Sequence, residues 1–351
     1  MELASLETPV PVVDLDIVEA NLKRMQDYCD AHGIALRPHI KTHKIPALAK
    51  RQLELGAKGI TCQKLGEAEV MADAGLDDIL ISYPLVGEAK AERLAALARR
   101  AQMRVSIDNP LALETLARAG RHGHEIGVLV EFDSGNGRTG VTSIDGVLEL
   151  ARAIRATKGL RFDGLMNYPV NARTGEILRD LLPKLKAEGL EPAVISGGGT
   201  PNAFRTHEMA PVTELRVGTY IYNDRMTVGA GHARWEDCAL TLHVTVISRP
   251  EPHRAIVDAG SKTFAADIMP GGSGEGHGYF PAYPGAKLHK ISEEHGMVDL
   301  SACERKPELG ERLRVVPNHV CPVSNLHDRV AFTRGEAFQG FVDVAARGRT
   351  L

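Results

Sequence analysis

The densest concentration of reactive side chains is Arg37-Pro38-His39-Ile40-Lys41-Thr42-His43-Lys44, where three cationic groups and two imidazoles fall within eight positions. Crowded positive charge favours the neutral form of a desolvated lysine, and a neutral amine can attack a carbonyl to form a Schiff base. On an extended strand His39, Lys41 and His43 share one face, so Lys41 is the candidate nucleophile if that face looks into a cavity. A solvated basic loop is the alternative reading.

Two glycine sites add to this. Ser196-Gly197-Gly198-Gly199-Thr200 and Arg216-Val217-Gly218-Thr219 each follow a β-type run, where backbone N–H groups can approach an anion closely. Arg138, in Asp133-Ser134-Gly135-Asn136-Gly137-Arg138, could donate to a phenolate or carboxylate, or pair locally with Asp133. In Pro317-Asn318-His319-Val320-Cys321, His319 and Cys321 are two apart, which on extended chain puts imidazole and thiol on one face. That pair suits zinc and leaves positions open for water and substrate. A buried cysteine beside a hydrogen-bonded histidine is the plainer alternative.

The elements that must position these groups are regular. After a strand near Val10 to Leu15 and a helix through Ile17 to Cys29, strand-like runs end near Lys41, Gln63, Tyr83, Asp108, Phe132, Tyr168, Ser196 and Val217. Amphipathic stretches rich in Ala, Leu, Glu, Lys and Arg separate them. Eight successive βα units predict an α/β chain, a (β/α)8 TIM-type barrel with its loops at the strand C-terminal ends; an open doubly wound sheet is the alternative. Beyond Trp235 strands follow one another without helices, at Ala239 to Ser248, Arg254 to Asp258, Lys287 to Ile291, Arg312 to Val316 and Arg329 to Phe332, which predicts a mostly antiparallel β-domain. The expected division is a barrel over 15–236 and a β-domain from 1–14 plus 237–351. Gly271 to Gly278 reads as a surface loop or a lid.

Composition narrows the functional classes. Among 351 residues, 42 Lys+Arg against 45 Asp+Glu leave a formal charge of -3, without the basic excess that would draw the chain to nucleic acid or anionic lipid. Cys29, Cys62, Cys238, Cys303 and Cys321 are scattered and odd in number, which suits a reducing cytoplasm better than a disulfide framework. No run of about 18 apolar residues suggests a membrane span.

The combination of the Lys41 segment, the glycine turns, Arg138 and His319-Val320-Cys321 resembles the fold-type III pyridoxal-phosphate (PLP) enzymes, in particular the D-threonine aldolase and D-serine dehydratase group related to bacterial alanine racemases. The resemblance covers nearly the whole chain, including Cys62-Gln63-Lys64 and Ser292-Glu293-Glu294-His295-Gly296. It implies that Lys41 holds PLP, that Arg138 faces its phenolic oxygen, and that Gln63 and Tyr168 lie beside it. Gly199, Thr200, Gly218 and Thr219 would grip its phosphate, with packing at the barrel rim the other reading of Tyr168. It also implies that His319, catalytic with Lys41, binds a divalent metal (Zn, Mn or Mg) together with Cys321, the metal meeting the β-hydroxyl or carboxylate of a D-amino acid. A homodimer is implied too. Aldolases of the group carry aspartate at the position of Cys321, and the His-x-Cys order resembles the zinc-dependent D-serine dehydratases. By contrast, Leu36 to Lys44 and Tyr220-Ile221-Tyr222-Asn223-Asp224-Arg225 look closer to D-threonine aldolases. A racemase, which would need a second base such as Tyr279 or Tyr283, is a further alternative.

Overall fold

The computed structural model describes residues 2–270 and 272–351; Met1, the side chain of Ser273 and Gly271, first residue of the expected loop or lid, lie outside them. The chain divides into two compact units. One comprises Arg24–Lys41, Pro46–Gly218 and Arg349–Leu351; the other takes the chain up to Lys23, Thr42–Ile45 and Thr219–Gly348.

The first unit is built on eight parallel strands, Ala35–Leu36, Ile60–Cys62, Asp78–Ile81, Gln102–Ile107, Ile126–Phe132, Leu160–Asn167, Val194–Gly198 and Glu214–Arg216. Each forms where a short β-branched or apolar run meets turn residues, and Ile126–Phe132 is buried at all seven positions, as a strand covered on both faces must be. Closure, which periodicity could not decide, comes from the first and second strands: Lys58 N–H donates to Leu36 O and Thr61 N–H to Pro38 O, both at 2.8 Å, and His39 bridges Thr61. The barrel expectation holds. Some of the intervening helices start on side-chain caps, Asn109 before Pro110–His122 and Ser143 before Ile144–Ala156 among them.

One local expectation fails. The first barrel strand stops at Leu36, and Ile40–Thr42 is a single 3-10 turn, so strand alternation does not set the directions of His39, Lys41 and His43. Proline at position 38, with no N–H to give a ladder, and the tight turn after it explain why the strand is so short.

The second unit centres on a mostly antiparallel sheet. Val10–Asp14 runs antiparallel to Leu240–Glu251 and parallel to Arg329–Arg334, while Leu240–Glu251 also pairs with Arg254–Val257 and Arg312–Pro317. Gly278–Tyr279, Gly296–Asp299 and Ala337–Asp343 are strands the sequence pattern did not signal, the last because its alternate positions are only half-buried. Thr219 to Trp235 groups with this unit, where Asn21 Nδ2 donates to Ile221 O and Asp237 O at 3.2 and 2.8 Å.

A titratable group inside this sheet gives a test of the fold. Burial, reinforced by Arg314 and Arg312, lowers His243 from 6.5 to about 4. Between these values the unfolded chain binds the extra proton, so His243 costs no stability above pH 6.5 and removes up to about 1.4 kcal/mol per pH unit as pH falls towards 4. Chemical unfolding at pH 7 and pH 5 should therefore show a smaller acid-induced loss for His243→Leu than for the parent; equal losses would show that His243 is not buried neutral.

Candidate active site

In the barrel unit the lysine segment separates into groups with partners and one without. Arg37 is buried and forked, its Nε on Glu214 Oε2 at 2.7 Å and its Nη1 on Asp78 Oδ1 at 2.8 Å. Burial works against its charge, but Glu214 and Asp78 outweigh that and raise its pKa. His39 Nε2 lies 3.1 Å from Gln63 Oε1 and 3.3 Å from Ser82 Oγ, and Gln63 Nε2 donates to Ser82 O. Lys41 is half-buried; its backbone N–H donates to His39 Nδ1, and among the described residues its Nζ has no carboxylate or other polar partner. A partly desolvated primary amine without a counter-ion is the donor that covalent attachment to an aldehyde requires.

Arg138 does not pair with Asp133. The Asp133 carboxylate is taken by the N–H groups of Gly135, Asn136 and Gly137, whose hydrogen bonds, after the opposing effect of its slight burial, lower its pKa. The Arg138 guanidinium lies instead over the Tyr168 ring, 4.5 Å from its centroid. Tyr168 also covers the end of the seventh strand, for a Cβ on Gly198 would stand 3.1 Å from its ring. Gly199 follows with φ +114°, a conformation that favours glycine, and Thr200 opens the turn Thr200–Arg205. Because Gly198 pairs with Arg216, Gly199 and Gly218 emerge from adjacent strand ends. Both are buried, and neither N–H finds an acceptor among the described residues. Two such donors at the C-terminal end of a parallel barrel fit a phosphate.

The second unit holds the other candidates. His319 is not on extended chain with Cys321: it caps the helix Val320–Leu326, and Cys321 sits in the first turn. The pair meets all the same, because the helical turn brings the thiol back beside the imidazole. Asp224, wholly buried, organises them. Its Oδ2 receives His319 Nδ1 at 2.9 Å and Val320 N–H at 3.1 Å, and its Oδ1 receives Thr227 N–H at 2.9 Å. With Nδ1 occupied, Nε2 is the nitrogen that could take a metal, as where a carboxylate orients a metal-binding histidine. Burial opposes charge on His319, but the neighbouring Cys321 and Asp224 override it and raise its pKa, so a cation that binds Nε2 takes the place of a proton there. The nitrogen and sulfur donors of the pair are of the kinds that fit a divalent cation. Cys321 Sγ lies 3.1 Å from Thr42 Oγ1 and 3.9 Å from Thr219 Oγ1. Among the described residues no three His, Cys, Asp or Glu side chains converge as a complete metal set.

Sequence reading missed Asp224 as a site residue, since nothing local ties it to a histidine 95 positions away. Tyr279 and Tyr283 are the tyrosines offered as the second base of a racemase. Tyr279 stacks on Trp235 with centroids 3.8 Å apart, and the Tyr283 hydroxyl donates to Glu311.

Two family matches define the class. Residues 13–226 match the alanine racemase N-terminal domain and residues 239–333 the serine dehydratase domain, and the chain belongs to this family of alanine racemase-like enzymes, for which PLP is the implied cofactor. Within it, the chain is 38% identical to a D-threonine aldolase of an Arthrobacter species, over 99% of this chain and 94% of that one. The crystal structure of D-threonine aldolase from Filomicrobium marinum superposes with a TM-score of 0.91 at 34% identity, covering 100% of this chain and 98% of the other. D-threo-3-hydroxyaspartate dehydratase from Delftia sp. HT23 follows with a TM-score of 0.85 at 30% identity, covering 97% and 98%. Aldolases and dehydratases are both lyases, and the chain is a lyase of this group. No helix among the described residues is long and apolar enough to cross a membrane.

Proposed function

We propose that the chain is a PLP- and divalent-metal-dependent D-threonine aldolase, cleaving D-β-hydroxy-α-amino acids to glycine and an aldehyde. The observation that carries this reading is the likeness to D-threonine aldolase along essentially the whole chain, at 38% identity. Lys41 Nζ would hold PLP covalently, with Gln63, Arg138 and Tyr168 beside it and Gly199, Thr200, Gly218 and Thr219 at the phosphate. His319 Nε2 and Cys321 Sγ would hold the metal, which the softness of a thiolate makes zinc before manganese or magnesium. When bound, PLP draws electrons from the bonds at the substrate Cα, and the metal makes a hydroxyl attached to it more acidic.

The protein's own groups have defined tasks in this reading. Lys41 holds or returns a proton at Cα. Asp224 keeps the His319 Nδ1 proton in place, so that Nε2 stays a donor pair for the cation. Arg138, fixed over Tyr168, presents positive charge to an oxygen anion at the barrel mouth. The thiol of Cys321 supports a second reading, D-serine dehydratase, which releases pyruvate and ammonia. A homodimer is the assembly the family suggests, and the cysteine pattern suits the cytoplasm.

Purified protein supplied with PLP and zinc should convert D-threonine to acetaldehyde and glycine, and D-phenylserine to benzaldehyde, with loss of both activities on chelation. Pyruvate from D-serine without aldehyde from D-threonine would replace this reading by the second.

A further inference from the structure

A line of polar groups, buried beyond its first member, crosses the barrel and ends on an arginine that none of the roles above uses. It begins at the partly exposed Asp78, which opens the third strand, and passes to Arg37 after the first strand and then to Glu214 on the eighth. The third and eighth strands are not neighbours in the sheet, so this part of the line runs through the interior. Glu214 Oε1 then accepts from Ser196 Oγ at 2.7 Å, and Ser196 Oγ accepts from Arg216 Nε at 2.8 Å. Ser196 and Glu214 are direct partners in the register of the seventh and eighth strands. Ser196 is fully buried, and Arg37, Glu214 and Arg216 are 2%, 4% and 5% exposed.

The direction of every bond in this line is fixed by the chemistry of its members. An ionised carboxylate only accepts and a guanidinium only donates. The serine hydroxyl, with one hydrogen, must give it to Glu214, and its lone pairs are left for Arg216 Nε. Arg216 Nη2 is held by Asn167 O at 2.8 Å, while among the described residues Nη1 has no partner. Both nitrogens stand 3.3–3.4 Å from where a Cβ on Gly198 would be, the spot that the Tyr168 ring also borders. The unpaired edge of Arg216 is therefore locked beside Tyr168 and the Gly199–Thr200 turn. Burial opposes its charge, which Glu131 and Glu214 support.

We propose that Ser196 and Glu214 are positioning residues that hold the Arg216 guanidinium charged and aimed at the barrel mouth, and that through it they set the affinity and ionisation of the bound cofactor. This rests on the PLP reading above. Ser196→Ala severs the line at Arg216 while leaving Arg37 on Glu214 and Asp78. It should weaken PLP binding to the apoprotein by about tenfold, the scale on which groups that orient a ligand-binding side chain act, and displace the pH midpoint of the lysine-bound cofactor's absorbance. Ser196→Thr, which keeps the hydroxyl, should restore both.

A Ser196→Ala protein with parental PLP affinity and parental pH midpoint, changed only in melting temperature, would show the line to be merely structural and overturn the proposal. Should Ser196→Ala fail to fold, Ser196→Cys, whose sulfur is a weaker acceptor, should shift both readouts in the same direction to a smaller extent; unshifted values there overturn it equally. Failure of the PLP reading itself is separately visible, because the parent protein would then show no cofactor absorbance at all.

Discussion

Lys41→Ala should leave a folded protein that no longer forms the lysine-bound cofactor absorbance and whose lyase activity falls by at least about 10³-fold, the upper part of the range for loss of a covalent or proton-transferring group. Folding should survive because, among the described residues, the Lys41 side chain has no partner to lose; the bond to His39 Nδ1 is made by its backbone N–H. The change in stability should stay within about 0.5 kcal/mol, as for other substitutions that break no buried interaction. Borohydride reduction of the PLP-loaded parent followed by peptide mass spectrometry should place the adduct on residue 41. Lys44→Ala is the control: its Nζ is held by Asn325 Oδ1 at 2.8 Å and its backbone sits at φ +57°, so it is a structural lysine and its loss should spare the absorbance. An adduct on Lys44 or Lys64, or one that persists in Lys41→Ala, would remove the assignment on which the rest of the barrel site depends.

Much of this was open to inspection in the sequence because it depends on short-range pattern. Eight β-type runs separated by amphipathic stretches specify strands and helices through local propensity and burial, and the structure places eight parallel strands at those runs. The lysine segment, the two glycine turns and the His319-Val320-Cys321 triplet each announce themselves by residue type over a few positions. What was hidden depends on geometry between distant residues. Barrel closure rests on backbone bonds from the 36–38 segment to the 58–61 segment. The Lys41 segment leaves strand geometry because of a 3-10 turn that alternation cannot foresee, and Cys321 reaches His319 by way of a helix rather than a strand. Asp224 and Glu214 look like ordinary acids in sequence. Their partners lie 95 and 177 positions away, and no local signal joins an acid to an imidazole or a guanidinium at that range.

Asp224→Asn should lower metal affinity by about 10–100-fold, the usual cost of removing a carboxylate that orients a metal-binding histidine, and activity should return when zinc is raised in proportion. The reason lies in the count of donors around this side chain: Asp224 accepts from His319 Nδ1, Val320 N–H and Thr227 N–H, and an asparagine can accept on one oxygen while its own amide hydrogens oppose donors on the other side. The histidine would then lose its fixed tautomer, and a buried N–H would lose its partner, so stability should fall as well, by about 1–3 kcal/mol. His319→Ala should abolish stoichiometric metal and activity together, with no recovery at high zinc, since the ligand itself is gone. Cys321→Asp separates softness from position. It exchanges a thiolate for a hard oxygen donor in the same first turn, beside Thr42 Oγ1, and should shift metal preference from zinc towards manganese or magnesium. Metal content by elemental analysis and affinity by calorimetry read all three substitutions. Unchanged zinc binding in His319→Ala would reduce the imidazole and thiol to a structural pair held by Asp224.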